Sequence, residues 1–160
     1  MNRTHLAVAG LLLAALVSCS SDGSKADSQA KFCIAAQAAK DAADAQQGLF
    51  NLALSPVPAD VRPAVEGFAA KFAAMAAVAP TEIKVDVATI NEAAHQLLTV
   101  VKANNYDVTA MVTTPAFATL TDTFAGSDYT DAQSRFQTYI ATFCGIREAT
   151  TTSITTTSGS

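Results

Sequence analysis

The chain has 160 residues, of which 34 are Ala, and a formal net charge of −4 from 10 Lys and Arg against 14 Asp and Glu. This length fits one domain, and half of the residues are hydrophobic, so the middle of the chain is not a disordered segment. The acidic balance argues against a nucleic-acid-binding protein, which needs a basic surface to meet phosphates. Composition therefore indicates a small, Ala-rich globular protein.

The N-terminus has the layout of an export signal. Arg3 precedes an almost unbroken apolar run from Leu6 to Val17. This run is too short to cross a bilayer as a helix, since a span needs about 20 residues. A positive charge, a short apolar stretch and small residues at the exit are typical of a signal peptide, which we predict over residues 1–18.

The exit sequence Leu16-Val17-Ser18-Cys19 resembles the lipobox of bacterial lipoproteins. The chain as a whole is similar in layout to the small exported lipoproteins of actinobacteria. This resemblance implies that a diacylglycerol is attached to the Cys19 thiol, that the signal is cut before Cys19, and that the protein is anchored to the outer face of the cell membrane. Two acyl chains anchor stably where one would be marginal. The alternative is an ordinary signal peptide that happens to contain a cysteine.

After the lipobox, we predict a flexible polar tether over residues 19–28, a helical domain over 29–147 and a disordered Ser/Thr-rich tail over 148–160. The tail is either merely solvated or a carrier of O-linked sugars. In the domain, four segments show the apolar spacing of three and four that predicts amphipathic helices. Their stripes run from Phe32 to Ala53, Val61 to Ala79, Ile83 to Val101 and Tyr129 to Ile146.

The order of these segments predicts an all-α fold, an antiparallel four-helix up-and-down bundle. Thr114-Pro115 begins one short extra helix, which we expect to cap the connection between the third and fourth long helices. If Cys19 carries the lipid, Cys33 and Cys144 are the two cysteines that remain. Paired cysteines are common in exported proteins, so we predict one disulfide that pins the bundle. In an up-and-down bundle these two residues lie at the same end. Two buried free thiols are the alternative.

The Ala-rich face of the first helix admits two interpretations. Large side chains of the second helix can fill the space over Ala39 and Ala43, which is ordinary packing and the interpretation that we favour. Alternatively, the space is a crevice for an apolar ligand. The residues expected to line such a crevice are Phe68, Phe72, Met75 and Phe117.

Residues for catalysis or metal binding are scarce. His95 is the only histidine after the signal, and we expect it at the surface. The Glu92–His95 pair occurs once, whereas di-iron bundles need such a pair twice. We therefore expect no enzyme, no metal and no cofactor. The favoured function is a membrane-anchored, non-catalytic interaction module that binds another envelope protein, and the alternative is a carrier of a lipid, haem or other small apolar ligand.

Overall fold

The computed structural model describes residues 22–52 and 58–147, and this part of the chain contains six α-helices and no strand. They are α1 (Asp22–Leu52), α2 (Pro58–Ala77), α3 (Lys84–Ala103), α4 (Val108–Met111), α5 (Pro115–Ala125) and α6 (Ser127–Phe143). The predicted all-α class is confirmed. The expected signal peptide, Cys19 and the Ser/Thr-rich tail lie outside the described residues. Within the described residues, no helix has the length and apolar character needed to cross a membrane.

Helix α1 begins earlier than expected. Residues 22–28, which we expected to belong to a flexible tether, are the first two turns of this 31-residue helix. The stretch contains neither Pro nor a β-branched residue, and Lys25 and Ala26 are good helix formers. Docking of the following residues against the domain removes the cost of helix nucleation, so the helix extends towards the N-terminus.

Two consecutive residues in the left-handed region end α3. Asn105 and Tyr106 have φ angles of 53° and 64°. The Tyr106 N–H donates to the carbonyl of Val101 at 2.9 Å, and the Asn105 N–H donates to the carbonyl of Lys102 at 3.0 Å. This is the hydrogen-bond pattern of a Schellman motif, which satisfies carbonyls that the helix end leaves free.

The connection from α3 to α6 holds two short helices where the sequence predicted one. Asp107 begins α4 as its N-cap, with a side chain that accepts from the Ala110 N–H at 2.9 Å. Thr114 caps α5 in the same way, accepting from the Phe117 N–H, and Pro115 occupies the first turn. The expectation of a single short helix was therefore wrong, because Asp107 supplies a cap for which we had not allowed.

A single residue, Gly126, joins α5 to α6. A Cβ atom at this position would lie 3.3 Å from the carbonyl oxygens of both Asp122 and Thr123. Only glycine therefore allows α6 to leave α5 at this close approach without a shift of the backbone.

The core consists of two clusters of buried apolar residues. Helix α2 packs against α1 and α3, and α3 also packs against α5 and α6. The larger cluster contains Phe32, Ala36, Ala39, Phe72, Met75, Ile83, Val87, Ile90, Ala94, Ala132, Phe136, Ile140 and Ile146. The smaller cluster contains Val61, Val65, Leu97, Val101, Tyr106, Met111 and Leu120, and Phe68 packs against both clusters. The apolar stripes predicted from the sequence thus supply most of the core.

The predicted disulfide between Cys33 and Cys144 is confirmed, with a Cα–Cα distance of 5.3 Å. Next to it, the Tyr139 hydroxyl donates to Gln29 Oε1 at 2.9 Å, and the Phe32 and Tyr139 rings meet edge to face at 5.8 Å. These contacts join α1 to the end of α6. The alternative of two free thiols is excluded.

An ion pair joins α3 to α6. Asp86 is 8% exposed and its Oδ1 accepts from Arg135 Nη2 at 2.7 Å and from Arg135 Nε at 3.0 Å. The hydrogen bond to Asp86 raises the pKa of the guanidinium above its ordinary value. The carboxylate thus keeps a partner in a place from which water is largely excluded.

Candidate functional site

An open cleft of about 500 Å³ lies among five of the helices, and we refer to it as the central cleft. It is lined by Ala43 and Gln46 of α1, Phe68 and Phe72 of α2, Ile90 and Leu97 of α3, Phe124 of α5, and Tyr129, Gln133, Phe136 and Gln137 of α6. Eleven residues from α1, α2, α3, α5 and α6 thus converge on one space. Volumes of about 300–1,000 Å³ are typical of small-molecule sites.

The cleft follows from the way in which α1 and α6 meet. The disulfide and the Gln29–Tyr139 hydrogen bond hold these two helices together near the end of α6. Further along α1 the residues that face the cleft include Ala43, whose methyl group fills little volume.

Aromatic rings form much of the wall. Phe68 and Phe72 stack with ring centroids 4.5 Å apart on α2. Phe124 and Tyr129 meet edge to face at 4.9 Å, one from α5 and one from α6. Phe136 also lines the cleft. Such rings offer large, rigid apolar contact area, which suits the binding of an apolar or aromatic molecule.

Polar groups in the cleft are few and uncharged. Gln46 is 6% exposed and lines the cleft from α1. Gln133 and Gln137 lie on the α6 side, where Gln133 is exposed. Burial raises the pKa of Tyr129, so its hydroxyl stays protonated and can donate a hydrogen bond at neutral pH. The cleft therefore combines an apolar wall with a small number of neutral hydrogen-bonding groups.

The structure brings together two of the four residues expected to line a crevice. Phe68 and Phe72 line the central cleft together with Ala43. Met75 is fully buried in the larger core cluster, and Phe117 packs against the smaller cluster. For Met75 and Phe117 the structure therefore shows packing where we had considered a ligand site.

Sequence reasoning missed the contribution of α5 and α6 to the cleft. Tyr129 and Phe136 were assigned only to the apolar stripe of the last long helix, and Phe124 was not assigned to a site. Their periodicity does distinguish core from solvent, but it does not show that the turn at Gly126 brings Phe124 beside Tyr129. No sequence signal available from one chain could have separated these ring positions from ordinary core positions.

Chemical groups elsewhere in the described part do not form a reactive cluster. No group of three or more His, Cys, Asp and Glu residues could hold a metal ion in the described ranges. His95 is exposed and lies beside Glu92 on a shallow surface between α3 and α5. Cys33 and Cys144 are joined in the disulfide, so neither offers a thiol.

Large apolar side chains on the surface of the described residues belong to separate parts of the chain. They are Ile34, Val78, Val85, Val112 and Phe143, each at least 37% exposed. Phe143 lines a surface depression together with Pro80 and Tyr139. Single exposed apolar residues are common on folded domains. Comparison of the chain with protein-family models, with curated proteins and with solved structures finds no match.

Proposed function

We propose that this protein is a lipid-anchored cell-envelope carrier that binds a small apolar molecule in the central cleft. The observation that carries this proposal is the cleft itself, with its volume of about 500 Å³ and its five aromatic side chains. We had favoured an interaction module on the sequence alone. The central cleft now favours the carrier, because its volume and its aromatic wall suit a small apolar molecule.

The anchoring part of the proposal rests on the sequence around Cys19. Its support is the resemblance of Leu16-Val17-Ser18-Cys19 to a lipobox. Helix α1 begins at Asp22, three residues after Cys19. A lipid on Cys19 would therefore keep the domain close to the membrane surface, where apolar molecules are concentrated. The anchor would place the cleft within reach of its ligand.

We also infer that the four long helices form the up-and-down bundle expected from the sequence. In support, α1 packs against α2, α2 against α3, and α3 against α6. The disulfide then joins α6 back to α1. Helices α4 and α5 form the connection between α3 and α6. In this arrangement the central cleft lies between the two helices that close the bundle.

Native mass spectrometry of the protein purified from its own envelope tests the carrier function. We expect a retained small molecule that is released on unfolding. The test variant is Ala43→Phe, because a phenyl group at this position fills the cleft from α1. The matched control is Ala45→Phe, which makes the same change two residues later at an exposed position. The first variant should lose the bound molecule and the second should keep it.

Thermal unfolding and circular dichroism show whether both variants are folded. Ala43→Met, which adds less volume, replaces Ala43→Phe if the larger side chain prevents folding. Equal retention of the molecule by the Ala43 and Ala45 variants would show that it binds elsewhere. A folded protein that retains nothing and takes up no apolar probe would contradict the carrier function.

A further inference from the structure

We propose that the central cleft selects uncharged ligands, and that Gln46 binds a hydrogen-bonding group of the ligand. This inference rests on the carrier function proposed above and names the chemical class of its ligand. That class is a small apolar molecule with one neutral polar group, such as a hydroxyl, an ester, an amide or an uncharged amine. Fatty acids and other ionised amphiphiles are excluded from it.

The first support is the absence of charge among the described residues that line the cleft. The eleven residues are Ala, Gln, Phe, Ile, Leu and Tyr. A carboxylate or ammonium that entered would lose water without gaining an opposite charge, which is a large cost in an apolar surrounding. Arg135 does lie on α6, but its guanidinium is engaged by Asp86 of α3.

The second support is the amide of Gln46. Gln46 is only 6% exposed, and it lines the cleft. A glutamine amide offers two donors and one acceptor oxygen. A neutral polar group of a ligand in the cleft can therefore donate to this amide or accept from it.

Gln46 lies on the face of α1 that borders the apolar wall of the cleft. It follows Ala43 by three residues, so both side chains lie on the same face of the helix. The small side chain of Ala43 leaves the cleft open, and Gln46 borders the cleft beside it. Tyr129 of α6 also lines the cleft, and its protonated hydroxyl is a second neutral donor. A ligand held between these residues would contact rings along its apolar part and the amide at its polar group.

Two dyes with the same ring skeleton test the charge selection. N-phenyl-1-naphthylamine is uncharged, whereas 8-anilinonaphthalene-1-sulfonate carries a sulfonate. Both are titrated by fluorescence into the Cys19→Ala form, which keeps the whole chain but lacks acyl chains that would themselves take up the dyes. We expect the uncharged dye to bind at least ten-fold more tightly. Ala43→Phe should abolish its binding and Ala45→Phe should not.

Displacement of the uncharged dye tests the role of Gln46. Decanol should displace it at a concentration at least ten-fold lower than decanoate at neutral pH. In Gln46→Leu the dye should still bind, but decanol should compete about ten-fold less well. Gln37→Leu is the matched control, because Gln37 is exposed on the same helix and bonds to Asp41.

The outcomes separate this inference from the function on which it rests. If neither dye binds the folded protein, the carrier function fails. If both dyes bind with similar affinity and Ala43→Phe removes both, the cleft binds ligands but the inferred charge selection is wrong. Unchanged competition by decanol in Gln46→Leu would overturn the role of the amide.

Discussion

Tyr106 combines a left-handed backbone with two side-chain contacts to α2. Its hydroxyl donates to Glu66 Oε1 at 2.5 Å, and the Arg62 guanidinium lies 4.3 Å from the centre of its ring. The hydrogen bond to Glu66 is the largest cause of the raised pKa of Tyr106, with burial second. Only the protonated hydroxyl can donate this bond, so the contact that joins the end of α3 to α2 depends on pH.

We predict that the protein loses stability in alkaline solution, because this contact is lost there. Because the folded-state pKa is raised, the contribution to stability is complete below the ordinary tyrosine pKa of about 10 and is lost as the pH rises through the folded value. Tyr106→Phe should be less stable at neutral pH and should lose less stability above pH ~10 than the wild type. Urea unfolding across this pH range measures both effects.

Glu66→Gln provides the second variant for this experiment. The amide oxygen can still accept from Tyr106, but the negative charge that opposes ionisation of the phenol is gone. The alkaline loss of stability should therefore be smaller than in the wild type. An identical alkaline loss in the wild type and Tyr106→Phe would show that ionisation of Tyr106 is not coupled to unfolding.

The disulfide is a covalent link between α1 and the end of α6. The cysteines are 111 positions apart, and in the chain-entropy model a loop of this size stabilises by about 4–5 kcal/mol. We predict that Cys33→Ala combined with Cys144→Ala lowers the melting temperature by more than about 10 °C, which is the shift that such a free-energy loss causes in a domain of this size.

Reduction of the wild type should reproduce the effect of the double substitution. The control is the double variant itself, whose melting temperature should not respond to reductant. Differential scanning calorimetry gives both values. A wild type that melts at the same temperature with and without reductant would mean that the bond does not constrain the unfolded chain as the entropy model requires.

At the level of the helices, most of the correct predictions of helices and buried faces came from apolar periodicity. The stripes around Phe72, Ile90 and Phe136 were assigned to helices and all three residues are buried. The fourth stripe was wrong at Phe143, which is 61% exposed, because Ile140 faces the core instead.

Thr114-Pro115 was correctly assigned to the start of a short helix. Asp107 was missed as a cap, because it acts only once the chain has turned after α3. The start of α1 was misplaced since a polar segment can continue a helix that docking has already stabilised.

At the level of the whole molecule, the cleft was the least predictable feature. A stripe shows which face of a helix is turned inward, but whether two inward faces touch depends on the angle between their helices. Ala43 was identified as a site of low volume, and the sequence could not tell whether Phe72 fills it. The structure leaves that space open, and the buried amide of Gln46 borders it.

The attachment of the whole domain to the membrane depends on Cys19 alone in our proposal. We predict that Cys19→Ala abolishes acylation and moves the protein from the membrane fraction to the soluble fraction, because it removes the thiol that the proposed lipid is attached to. Cell fractionation with immunoblotting measures the distribution, and incorporation of a labelled fatty acid measures acylation.

The Cys33→Ala and Cys144→Ala double variant is the matched control for this experiment. It removes two cysteines from the same chain but leaves the lipobox intact, so it should remain acylated and membrane-bound. Loss of acylation in the double variant would show that the label reports another cysteine. Membrane retention of Cys19→Ala without any acyl label would contradict the lipid anchor and would require a different contact between the domain and the envelope.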